Sequence, residues 1–124
     1  MGYYITLRDM DFGIKKENFD AALKAIKKLK PHGWVDPSYK DAETLVEAMT
    51  CWRWEPALND DGDIHYLYFE GEKLGDDERF FEAIAPYVID GCYLEISGEE
   101  LALWRWVFKD GKMKEVNAKI IWEE

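Results

Sequence analysis

The tripeptide Trp-Arg-Trp occurs twice in this chain, at 52–54 and at 104–106. An indole stacks on a flat ring, and an arginine fork grips a phosphate or carboxylate through two parallel hydrogen bonds. Trp52, Arg53, Trp54, Trp104 and Arg105, gathered at one cleft, would hold a nucleotide-like small molecule. A second reading puts the indoles in the core. On a strand, Trp104, Trp106 and Phe108 share one face, while Leu103, Arg105 and Val107 share the other. Under a layer of helices the first set is interior, and Arg105 stands on the open face within reach of Glu95 and Glu115. The core reading is preferred, because each buried indole stabilises the fold by roughly 2–3 kcal/mol.

Other chemistries lack their required spacing. Asn-Asp-Asp-Gly-Asp at 59–63 has neither the calcium-loop pattern nor the closing Glu, so it reads as a hairpin turn. His32 and His65 have no matched spacing to cysteine or acid, which gives no zinc signature. Ser38 and Ser97 lie in no nucleophile elbow. Asp-Phe-Gly at 11–13 stands without the glycine-rich loop and catalytic segment of a kinase. Cys51 and Cys92 are too few for a disulfide scaffold and read as small packed thiols. Carboxylate pairs are defined by geometry, so a carboxylate-based hydrolase stays as a third reading behind two kinds of binding protein. No metal or cofactor is implied.

Charge points to the class of partner. The net charge is −10, and residues 1–58 contribute none of it, with nine cations against nine anions. Between 59 and 100 thirteen acids face only Lys73 and Arg79. Such a field repels the phosphates of nucleic acid and attracts a basic protein surface. Asp60, Asp61, Asp63, Asp76, Asp77, Glu78, Glu99 and Glu100 are the candidate contacts. No apolar run is long enough to span a membrane, and the start of the chain resembles no secretory signal. A cytoplasmic location is expected.

The elements that must position these residues follow from periodicity. Residues 3–7 read as a strand, with Asp9, Asp11 and Gly13 shaping the turn after it. A helix follows with Phe19, Ala22, Leu23, Ile26 and Leu29 inward, stopped by Pro31 and Gly33. A second helix over 41–52 turns Leu45, Ala48, Met49 and Trp52 inward, capped by Asp41 or a neighbour. Trp54 starts a strand that Pro56 confines to an edge. A strand at 64–69 precedes a third helix over 76–88, with Phe80, Phe81, Ile84 and Val88 inward and a stop or kink at Pro86. Three strands close the chain, the last two joined through Asp110-Gly111. The expected fold is a single α+β domain, in the order β-α-α-β-β-α-β-β-β. About five to six strands form an antiparallel sheet, with about three helices mainly on one face.

Residues 2–26 and 71–112 also resemble a family of small proteins encoded in bacterial and phage genomes. The most specific part is the run Ala85-Pro86-Tyr87-Val88, Asp90-Gly91 and Trp104-Arg105-Trp106-Val107-Phe108 with Asp110-Gly111-Lys112. The chain departs from the family pattern at Glu99-Glu100-Leu101, where Glu-Asp-Gly is more usual. The resemblance implies an α+β fold and transfers no catalytic residue or cofactor. The expected function is a non-enzymatic acidic binding protein occupying a basic surface of a partner protein. Inhibitors, immunity proteins and phage counter-defence proteins work in this way. The alternative is the small-ligand binder built on the tryptophan and arginine residues.

Overall fold

The computed structural model describes residues 3–31 and 33–119. Strand β1 (Thr6–Asp11) leads through a short 3-10 turn into helix α1 (Phe19–Lys27). A second 3-10 turn (Pro37–Asp41) precedes helix α2 (Leu45–Cys51) and the hairpin of β2 (Trp54–Leu58) and β3 (Ile64–Phe69). Helix α3 (Asp77–Ile84) comes next, then β4 (Tyr93–Ser97), β5 (Leu103–Lys109) and β6 (Lys112–Asn117). The order of helices and strands is the expected one. No helix is long and apolar enough to cross a membrane among the described residues.

Local chemistry sets the boundaries. Thr44, rather than Asp41, caps α2, its hydroxyl accepting from the Glu47 N–H at 3.2 Å. Glu47 reaches back to the Glu43 N–H, so two otherwise orphaned donors are satisfied. Pro86 ends α3 at Ile84, and the chain tightens into a 3-10 turn over Ala85–Tyr87. The turn between β5 and β6 has positive φ at both Asp110 and Gly111, the backbone that matches strand twist in a tight hairpin. The first strand begins at Thr6 rather than Tyr3, and it carries Asp9 and Asp11. A bulge between Leu7 and Asp9 lets it continue pairing with β4 instead of turning. The sequence pattern extends the last strand over 113–122; the structure ends it at Asn117, and residues 120–122 lie outside the described residues.

The six strands divide into an antiparallel sheet of order β1-β4-β5-β6 and the β2–β3 hairpin. Strands β1 and β3 lie side by side without forming a ladder, and the Leu67 N–H of β3 meets the Met10 sulfur of β1 at 3.3 Å. At one end Ile14 bridges Ile64, and at the other Tyr4 bridges Lys73.

One core fills the space between sheet and helices. Leu94, Ile96, Trp104, Trp106 and Phe108 point into it from β4 and β5. Phe81 of α3 is its centre. Its ring lies 4.9 Å from Trp54, 5.5 Å from Trp106 and 6.1 Å from Phe108. Phe80 stacks on Trp52 at 5.3 Å, and Tyr39 meets the same indole edge-on. The two Trp-Arg-Trp segments therefore do meet in space, but across Phe80 and Phe81 and inside the core. Cys92 is buried and Cys51 half-buried, and both are free thiols.

Candidate interaction face

The arginines of the two tripeptides go separate ways. Arg53 has φ of +74°, the link between the end of α2 and the start of β2. That turn sends its side chain to Asp77 at the start of α3. Asp77 is only 1% exposed and accepts four hydrogen bonds. Arg53 Nη2 gives two, at 2.9 and 3.2 Å, Trp54 Nε1 gives one at 2.8 Å, and the Gly75 N–H one at 2.9 Å. Arg53 Nη1 also donates to the Lys73 carbonyl at 2.8 Å. The guanidinium lies 5.2 Å from the Phe69 ring centre and 5.9 Å from that of Trp34. A Cβ at Gly75 would stand 2.8 Å from Trp34 and 3.0 Å from Arg53, so glycine lets the loop close around this cluster.

Arg105 stays on the outer face of the four-stranded sheet. It pairs with Glu95 at 2.9 Å and lies over the Tyr93 ring at 4.6 Å. Glu95 raises the Arg105 pKa by hydrogen bonding, and the Tyr93 hydroxyl is raised by its bond to Asp9. Glu115, the other expected partner, lies across from Trp106 and accepts from that indole instead, at 3.4 Å. The shared ligand cleft is therefore not formed. Trp52, Trp54 and Trp104 are buried, and Arg53 and Arg105 line different grooves.

The acidic face also needs correction. Asp77 is inside the molecule and committed to Arg53. Asp63 is buried, accepting from the Lys16 N–H at 2.8 Å and facing Lys15 at 3.6 Å. Asp76 is half-buried with Arg79 at 3.8 Å. Asp60 and Asp61 are exposed in the hairpin turn. Glu78 is exposed on α3, its carboxyl pushed up by partial desolvation and by Glu115 and Glu82. Glu99 accepts from the Tyr4 N–H at 2.9 Å, and Glu100 is exposed beside it. The remaining acids thus sit on three separate segments: the β2–β3 turn, the start of α3 and the turn after β4.

A denser site lies on the outer face of the β2–β3 hairpin. The ladder sets Glu55 opposite Tyr68 and Ala57 opposite Tyr66, while Trp54, Pro56, Leu67 and Phe69 turn inward. Glu70 continues the outer row, its N–H bonded to the Arg53 carbonyl at 2.8 Å. Tyr66 and Tyr68 are 41% and 53% exposed, with rings 4.9 Å apart. Hydrogen bonding to Glu55, with a smaller contribution from its charge, holds the Glu70 carboxyl above its ordinary range. The signal was present as Tyr66-x-Tyr68-x-Glu70, a period-2 row on one strand face. Ranking acids by local density alone passes over Glu55 and Glu70.

Beside this face runs a groove of about 590 Å³ between β1 and β3. Tyr4 to Leu7 form one wall and Tyr66 to Glu72 the other. Among the described residues no group of three or more His, Cys, Asp or Glu side chains is arranged to hold a metal ion. No family model, curated protein or solved structure matches the chain.

Proposed function

We propose that the protein is a non-enzymatic binding protein that occupies a basic surface of a partner protein through the outer face of the β2–β3 hairpin. The observation that carries this reading is the exposed row of Tyr66, Tyr68 and Glu70 with Glu55 at its side. Two adjoining carboxylates repel one another, and a lysine or arginine placed between them relieves that repulsion. The tyrosine rings add apolar area and a face that attracts a cation, at low conformational cost. Binding surfaces concentrate their energy in such aromatic anchors, while the wider negative field speeds encounter. Glu55 and Glu70 are both exposed to water, Glu55 on the strand face and Glu70 in the wall of the open groove, which suits binding better than proton transfer. Inhibitors, immunity proteins and phage counter-defence proteins act by occupation of this kind, and a cytoplasmic setting fits two free thiols.

Calorimetric titration with oligolysine at rising salt tests the reading. The wild-type protein should bind and lose affinity steeply with salt. The Glu55→Gln/Glu70→Gln variant should bind several-fold more weakly at low salt. Affinity indifferent to salt, or equal in the variant, would contradict it.

A further inference from the structure

We infer that a second groove, reached from the hairpin face at Glu70, receives an arginine side chain of the partner, laid flat on Trp34 and paired with Glu70 and Glu72. This inference rests on the proposed function and names the residue type that anchors the partner there.

The indole of Trp34 is 53% exposed, while Trp52, Trp54, Trp104 and Trp106 are buried. Its backbone φ is +61°, a left-handed conformation that is unfavourable for a bulky side chain. Neighbouring contacts hold the ring there. Gly75 packs so closely that a Cβ would stand 2.8 Å from Trp34 Cδ1 and 3.2 Å from Trp34 Cβ. The next N–H, that of Asp36, donates to the Cys51 carbonyl at 2.9 Å and ties this loop to the end of α2. An exposed ring fixed before the partner arrives costs little further ordering on binding.

Trp34, Arg53, Glu70, Gly71, Glu72 and Lys73 line an open groove of about 460 Å³. Gly71 gives it bare backbone, because a Cβ there would stand 2.7 Å from Arg53 Nη1 and 2.8 Å from the Phe69 ring. The charges of the groove do not cancel. Arg53 is committed to Asp77 and to the Lys73 carbonyl. The Lys73 ammonium turns to Tyr4, 5.0 Å from its ring centre, and Tyr4 lines the β1–β3 groove instead. Glu70 and Glu72 are exposed, and Glu70 adjoins Glu55.

A guanidinium answers these features together. Its plane stacks on an indole, its N–H groups meet carboxylates, and it sheds water more readily than an ammonium. The chain makes the same combination internally, with Arg53 bonded to Asp77 while lying 5.2 Å from the Phe69 ring centre. One exposed ring makes no cage for a methylated ammonium, so a planar cation is the better occupant.

Oligoarginine and oligolysine of equal length, titrated into the wild-type protein and the Trp34→Ala variant, provide the test. Oligoarginine should shift the Trp34 indole N–H resonance of the wild type. Trp34→Ala should weaken oligoarginine binding about two- to fivefold, the size of one exposed cation–π contact, and oligolysine binding by less. The variant keeps Glu55, Tyr66, Tyr68 and Glu70, so oligolysine still reports the hairpin face. An unmoved indole resonance overturns the arginine site and needs no variant. An equal loss for the two peptides, or no loss for either, overturns it too and leaves the hairpin face as the binding surface. Failure of both peptides to bind the wild type overturns the proposed function itself.

Discussion

Replacing Asp77 by Ala removes the acceptor for Arg53, Trp54 and Gly75 together. The wild-type carboxylate is 1% exposed, and the Arg53 side chain opposite is 15% exposed, so little water is at hand to replace the lost bonds. An unpartnered buried N–H costs about 1–3 kcal/mol, and breaking one side of a buried ion pair costs about 3–5 kcal/mol. These losses share one network and do not add, so the expected total is roughly 4 kcal/mol. For a domain of this length that is a fall in Tm of roughly 12–20 °C. The Asp77→Asn variant keeps one carbonyl oxygen for Trp54 or Gly75 and should lose roughly half as much. Thermal unfolding followed by far-ultraviolet circular dichroism reads both. An Asp77→Ala protein melting within about 2 °C of wild type would refute the reasoning, since the cluster would then contribute almost nothing.

Four further outcomes follow from the packing and the charges. Trp106→Ala should destabilise by about 3–5 kcal/mol in urea titrations, because the ring is buried against Phe81. Arg105→Ala should change stability by less than about 1 kcal/mol, because its pair with Glu95 is half exposed. Tyr66→Ala and Tyr68→Ala should each weaken oligolysine binding with little change in Tm, since both rings stand outside the core. The raised folded pKa of Glu70 means that the native state holds a proton the unfolded chain has released. Its contribution is therefore fully present below the ordinary value of 4.5 and is lost as pH rises through the raised one. Glu70→Gln should flatten that slope in pH-dependent melts, and oligolysine binding to wild type should weaken as pH falls into this window.

Strand and helix order was legible because it rests on periodicity. Phe80, Phe81 and Ile84 recur at helical spacing, and all three are buried. Trp104, Trp106 and Phe108 alternate on β5 and all point inward. The gap between β1 and β3 was not legible, since it depends on where two distant strands stop pairing. The fate of Asp77 was hidden for a similar reason. Acids in a first helical turn normally face water and favour the positive end of the dipole. Which of Asp76, Asp77 and Glu78 turns inward is decided by Arg53, 24 positions away. Asp63 likewise looks like any acid of a polar turn until the Lys16 N–H is placed beside it. The outer row of β3 was readable from Tyr66, Tyr68 and Glu70, but pairing Glu70 with Glu55 required the hairpin register.

Chemical-shift mapping of oligolysine on the isotope-labelled protein tests the central claim most directly. The account predicts that perturbed amides cluster at Glu55, Ala57 and Tyr66 to Glu72. Perturbations centred on Asp76 to Glu78 or on Glu99 and Glu100, or spread evenly over every exposed acid, would contradict it.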